Sequence, residues 1–140
     1  VKIMNGISKT AASASDLTHF LRDFRKDIKN NRINISKEDI KRFKIRIEEI
    51  DRNSMELRNF ARNQVDKIYK LFSSGEKYIK SLPDIKLRLA AALFVSKYKF
   101  VLAKIRNRQY NLFSNYDNST LEEKFMQLRI ILNDIFRLAF

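Results

Sequence analysis

Cysteine is absent from this chain, and histidine, proline and glycine nearly so: 140 residues hold one His, one Pro and two Gly. Without cysteine there is no disulfide and no thiolate metal site, and nothing follows about redox compartment. With His19 the single histidine, neither a common transition-metal site nor a Ser-His or Cys-His nucleophile can be assembled. His19 lies beside an apolar stripe, where a partly buried structural role is expected. Gly-rich phosphate loops, HExxH and EF-hand patterns are missing. Neighbouring carboxylates such as Glu48/Glu49 and Glu122/Glu123 point apart on a helix. The expectation is therefore no enzyme, with no catalytic residue, no metal and no cofactor. So little Gly and Pro leaves too few turns for a β-sandwich and argues for long helices. The longest uncharged run of the central helix, Leu89 to Ser96, falls far short of the ~20 residues of a membrane span. The N-terminus lacks the continuous apolar core of a signal peptide.

What the chain has in excess is positive charge. The formal charge is +13 and the isoelectric point about 10.1, which speaks to partners rather than to fold. The surplus is uneven. Between Asp84 and Asp117 there is no carboxylate, while Lys86, Arg88, Lys97, Lys99, Lys104, Arg106 and Arg108 all fall there. Wound at 100° per residue, this stretch sets Leu87, Ala91, Phe94, Tyr98, Val101, Ile105 and Leu112 on one arc. Ile85, Leu89, Leu93, Phe100 and Ala103 fall roughly opposite, with cations between. A helix apolar on two sides must be covered on two sides.

Taken in order, residues 1–15 read as a small, polar arm carrying Lys2 and Lys9, either ordered only on binding or simply a loose terminus. Ser13 or Ser15 is expected to cap a first helix to about Asn30. Its stripe is Leu17, Phe20, Leu21, Phe24 and Ile28, with Arg22, Arg25, Lys26 and Lys29 opposite and Arg32 just after. Asp23 and Asp27 can pair with some of these cations. Ser36-Lys37-Glu38-Asp39 resembles a capping box opening a long helix to about Phe72, in which Ile40, Ile47, Ser54, Ala61 and Ile68 recur every seven residues. Ser73-Ser74-Gly75 is expected to break it. Ser81-Leu82-Pro83-Asp84 starts the central helix, predicted to reach about Phe113. Ser119-Thr120-Leu121-Glu122 reads as a capping box for the last helix, whose core seam is Leu121, Phe125, Leu128, Leu132 and Ile135. The C-terminus, Ile-Phe-Arg-Leu-Ala-Phe, is apolar enough to be buried in an assembly, in lipid or in its own core. The expected fold is all-α, four-helix-bundle-like with long helices and an N-terminal arm or helix. Its parts are 1–35, the basic arm and first helix, and 36–140, the bundle.

Cations on helical faces bind phosphates without reading bases. The leading functional expectation is thus a structural, sequence-independent nucleic-acid-coating protein that polymerises along DNA as a filament. Its contacts would come from Lys9, Arg22, Arg25, Lys26, Lys29, Arg32, Lys86, Arg88, Lys97, Lys99, Lys104, Arg106 and Arg108. A small-residue arm (Lys9 to Ser15), a basic first helix (Arg22, Arg25, Lys26, Lys29), a Cys-free bundle and a hydrophobic C-terminus together resemble the major coat proteins of filamentous archaeal viruses, of the lipothrixvirus and rudivirus kind. That resemblance implies a capsid protein of the virion. Double-stranded DNA would lie along the first helix and Arg32, with self or paralogous coat subunits as neighbours and lipid contact possible through the C-terminus. The alternatives are a cytoplasmic helical interaction module of immunity or scaffold type meeting an acidic partner, and a peripheral membrane binder.

Overall fold

The computed structural model describes the backbone of residues 2–140 and the side chains of residues 13–140. It holds five α-helices and, among the described residues, no strand. α1 is Lys2–Lys29, α2 Lys37–Phe43, α3 Met55–Ser81, α4 Ile85–Asn107 and α5 Leu121–Asp134. The all-α class follows from the shortage of Gly and Pro. Several boundaries do not fall where the sequence pattern puts them.

The expected arm is the first part of α1, which starts at Lys2 rather than at a Ser13 or Ser15 cap. Its stripe does go inward: Ala14, Leu21 and Phe24 are buried, with Leu17, Phe20 and Ile28 packed at the margin. The buried Thr18 hydroxyl donates to the Ala14 carbonyl at 2.7 Å, so no polar group is stranded there. α1 lies mainly on α3 and also touches α4.

The helix expected over 36–72 is two helices. Ser36 caps α2 as anticipated, accepting from the Asp39 amide at 3.1 Å. Lys44 then turns left-handed, at φ 56°, and its amide and that of Ile45 close on the Ile40 carbonyl. A 3-10 turn, Ile47–Glu49, follows, and Ile45 and Ile50 pin the connection to the core. Ser54 caps α3 by accepting from the Leu57 amide at 3.2 Å. Gly75 does not break α3, because a mid-helix Gly costs only ~1 kcal/mol and Phe72, Glu76 and Ile79 are buried around it.

Asp84, not Ser81, caps α4, accepting from the Lys86 amide at 2.8 Å. The two-sided character of α4 is real in its C-terminal half, where Val95, Tyr98, Phe100, Leu102 and Ile105 are all buried. Its N-terminal half leaves Ile85, Leu87, Leu89, Leu93 and Phe94 exposed. The last capping box is one residue later than expected. Thr120 accepts from the Glu123 amide at 3.2 Å, and the Glu123 carboxylate accepts from the Thr120 amide at 3.0 Å. This register turns α5 inside out relative to the sequence pattern. Glu123 and Asp134 face inward, while Leu121, Phe125, Leu128 and Leu132 face out. A π-helical turn, Ile135–Ala139, then tucks Leu138 and Ala139 into the chain's own core and leaves Phe136 and Phe140 exposed. Thr120→Ala removes the cap and is expected to cost about 1 kcal/mol, read as a lower urea midpoint with an unchanged m-value. Wild-type stability in that variant would mean the cap contributes nothing.

Candidate functional site

Arg22, Arg25, Lys26 and Lys29 form a basic flank on the last two turns of α1. Facing them is the segment after α4. Together with Ser114, Asn115, Tyr116 and Asp117 they line a cleft of ≈ 170 Å³. Asp23 and Asp27 are one turn apart on a neighbouring face of the same helix, both half-buried. Arg22 grips Asp23 through two parallel bonds of 3.0 Å, Nε to Oδ1 and Nη2 to Oδ2. This pairing holds the Asp23 carboxyl below the ordinary carboxylate range and pushes the Arg22 guanidinium higher still, so both stay ionised near neutrality. Asp27 makes no ion pair among the described residues, and its carbonyl caps the helix end by accepting from Asn30 and Arg32 amides. One turn earlier, His19 Nε2 meets the Tyr98 hydroxyl at 3.1 Å, and Phe94 leans on Tyr98 at 4.9 Å between ring centroids. Acidic, basic and apolar surface therefore meet within two turns of α1.

Buried Lys104 of α4 and half-buried Arg108, the residue that caps that helix, build the far wall of the cleft from behind. Gln109 and Tyr110 both take positive φ, 55° and 60°, to leave the helix. Arg108 then donates to the carbonyls of Asn115 at 2.6 Å and Asn118 at 2.8 Å, and to the Ser114 hydroxyl at 2.9 Å. Its remaining donors make a two-pronged pair with Glu123, at 2.8 Å each. Lys104 donates to the Tyr116 carbonyl at 2.6 Å and the Ser119 hydroxyl at 3.1 Å. Burial lowers the Lys104 ammonium from its ordinary value and pushes the Tyr116 phenol up to about 12. The segment held this way presents Asp117, whose Oδ2 lies 3.3 Å from Lys26 Nζ in an exposed pair.

The thirteen cations picked out by charge thus divide. Arg22, Arg25, Lys26 and Lys29 come together at the cleft, and Arg32 is exposed in the connector beyond. The side chain of Lys9 lies outside the described residues. On α4 there is no continuous row of unpaired cations. Lys104 is buried, and the donors of half-buried Arg108 are taken up by Glu123 and the 114–118 segment. Lys99 pairs with Glu76 and with Asp134, the latter at 3.1 Å. Arg88 donates to the carbonyls of Leu82, Pro83 and Ala139. Lys86, Lys97 and Arg106 are exposed, with Lys97 over the Tyr98 ring at 5.9 Å. For Lys99, Lys104 and Arg108 the physical reason is the same: a carboxylate or carbonyl outside the helix in sequence is adjacent in the fold. His19 plays the partly buried role expected of it. Sequence reasoning treated Asp23 and Asp27 only as counter-charges. The signal for more was Asp-Phe-Arg-Lys-Asp, two carboxylates at helical spacing inside a cationic turn.

The fold and this surface define a helical protein with a mixed-charge, phosphate-suited face beside exposed apolar side chains. The family model for squalene/phytoene synthase matches residues 5–123. The chain belongs to the squalene/phytoene synthase family. Comparison with curated proteins gives no match, and comparison with solved structures gives none. The family match overturns the coat-protein resemblance and the DNA-coating filament, with its DNA and coat-subunit partners, its capsid role and the interaction-module alternative. It also overturns the expectation of no enzyme, because this is a family of enzymes that act on isoprenoid diphosphates. The positive charge that suggested DNA phosphates suits a diphosphate equally well, since both are recognised by the same guanidinium and ammonium groups. No helix among the described residues is long and apolar enough to cross a membrane.

Proposed function

We propose that this chain handles the diphosphate group of an isoprenoid substrate on the last two turns of α1, as part of a prenyl-transferring enzyme. The observation that carries this is the presence of Asp23 and Asp27, one turn apart, on the same two turns as the cleft-lining Arg22, Arg25, Lys26 and Lys29, inside the span that the family model matches. Prenyl transfer begins with loss of a diphosphate leaving group, which takes both electrons of the breaking C–O bond. Positive groups fixed where that charge collects lower the barrier. Lys26, Lys29 and Arg25 are exposed and available for this, and Arg22 stays oriented through Asp23. The apolar arc of α4 containing Phe94, which leans on Tyr98, and Leu87, both exposed, is the surface we assign to the isoprenoid chain.

A divalent cation fits this residue set only in company with the substrate. No group of three or more His, Cys, Asp or Glu suited to a metal occurs among the described residues. Mg²⁺, however, binds through one or two carboxylates completed by substrate phosphates. Asp23 and Asp27 would hold it, and when bound it would neutralise charge on the diphosphate.

Calorimetric titration of the 140-residue chain with inorganic pyrophosphate tests the reading. Saturable binding strengthened by Mg²⁺ is expected. Lys26→Ala together with Lys29→Ala should weaken it about tenfold or more (~1.4 kcal/mol), and Asp23→Asn with Asp27→Asn should remove the Mg²⁺ dependence. Absence of binding, or binding indifferent to all four substitutions, contradicts it.

A further inference from the structure

Among the described residues nothing is packed on the outer face of α5, which is apolar along its length. Leu121, Phe125, Leu128 and Leu132 are 71%, 65%, 53% and 47% exposed. Their spacing is four, three, four, the spacing by which one helix offers knobs to the holes of another. The opposite side of α5 is already committed: Glu123 pairs with Arg108, and Asp134 with Lys99 and Arg137. All of the outer face except Leu121 and Glu122 lies beyond residue 123, where the family match ends.

The charges beside this seam say what covers it. Glu122 and Arg129 are exposed on one edge, and neither has an ion-pair partner within the chain among the described residues. Lys124 is on the other edge. If a second α5 ran parallel, Lys124 of one copy would meet Arg129 of the other, like against like. If it runs antiparallel, Leu121 stacks on Leu132 and Phe125 on Leu128, each twice by symmetry. Glu122 then faces Arg129, also twice, while Lys124 lies along Ile131. A surface that complements itself under a two-fold rotation is the mark of an isologous contact.

We propose that the outer face of α5 is the contact surface of a closed two-fold dimer, with α5 of a second copy packed antiparallel across it. The inference is independent of the diphosphate reading, which concerns α1. A two-fold contact closes on itself and produces no filament.

Sedimentation equilibrium of the full chain over a range of concentrations tests it. A reversible monomer–dimer equilibrium is expected. Leu128→Glu, at a half-exposed position, should abolish the dimer while leaving the far-ultraviolet circular dichroism of the monomer unchanged. Glu122→Arg alone and Arg129→Glu alone should each weaken it about tenfold, and the two combined should restore it. Because the chain has no native cysteine, pairing direction is read from oxidative cross-linking. A mixture of Leu121→Cys and Leu132→Cys chains should yield a covalent heterodimer, with little self-linking of either alone. A monomer at every concentration overturns the proposal. So does a dimer indifferent to Leu128→Glu and the charge reversals, or preferential self-linking of each single-cysteine variant.

Discussion

Arg108→Ala is expected to destabilise the protein by ~3–5 kcal/mol, the cost of removing one partner from a buried ion pair. The Arg108 side chain is 18% exposed and the Glu123 side chain 2%. The arginine satisfies both carboxylate oxygens of Glu123 and three acceptors of the 114–118 segment. Alanine leaves Glu123 without its ion-pair partner on the inner side of α5, with the backbone bond from Thr120 and the charge of Lys104 left to hold its carboxylate down. It also releases the segment that carries Asp117 to the cleft. A surface cation reaching for an external phosphate would behave otherwise, since its removal usually changes stability by less than ~0.5 kcal/mol. Urea unfolding of the two proteins separates these outcomes. Near-ultraviolet circular dichroism should report looser packing around Tyr116 in the variant.

The second large effect is at the junction of α3, α4 and the C-terminal turn. Glu76 is buried. It accepts from Arg137 at 2.6 and 2.8 Å and from Lys99, while Asp134 accepts from Lys99, Arg137 and the Ser96 hydroxyl. Two carboxylates and two cations balance, which explains how four charges stay in one place. Glu76→Ala unbalances them toward positive and is expected to cost ~3 kcal/mol, at the low end because Arg137 is 39% exposed and partly solvated.

The same cluster makes a signed pH prediction. Burial pushes the Glu76 carboxyl up, but hydrogen bonds from Arg137 and Lys99 outweigh it and hold the group below the ordinary 4.5. At Glu123 the Arg108 hydrogen bonds dominate and act in the same direction. A carboxylate that is harder to protonate folded than unfolded contributes stability above its unfolded value and loses it as pH falls through the folded one. The urea midpoint should therefore be flat down to about pH 5 and fall below 4.5. Glu76→Ala should lose part of that acid dependence. An unchanged acid limb in the variant would remove Glu76 as a cause.

These internal pairs also show where sequence reading reaches its limit. The helical class was legible in two Gly and one Pro, and the caps at Ser36 and, one residue off, Thr120 were legible in side-chain chemistry. The break between α2 and α3 was hidden. A seven-residue spacing, apolar at Ile40 and Ile47, runs on through it to Ser54, and the left-handed residue is Lys44 rather than a glycine. Ser54 looked like one more seam position when it is a cap. In α5 the apolar stripe pointed to the wrong face. Glu123 and Asp134 are drawn inward by Arg108 and Lys99, 15 and 35 residues away, and no local pattern encodes such a partner. For the same reason the α4 cations read as unpaired. The proposed α1 site was half legible: its cations stood out, and its two carboxylates, four residues apart, were counted only as charge balance.

The claim on which the functional reading rests is that an isoprenoid diphosphate docks at the end of α1. Amide chemical-shift mapping of the ¹⁵N-labelled chain, titrated with an isoprenoid diphosphate and Mg²⁺, tests it most directly. Shifts concentrated at Arg22 to Lys29 and Ser114 to Asp117, with a second set at Phe94 and Tyr98, are expected. Saturating shifts centred elsewhere, or none at all from a chain that is folded, would contradict it.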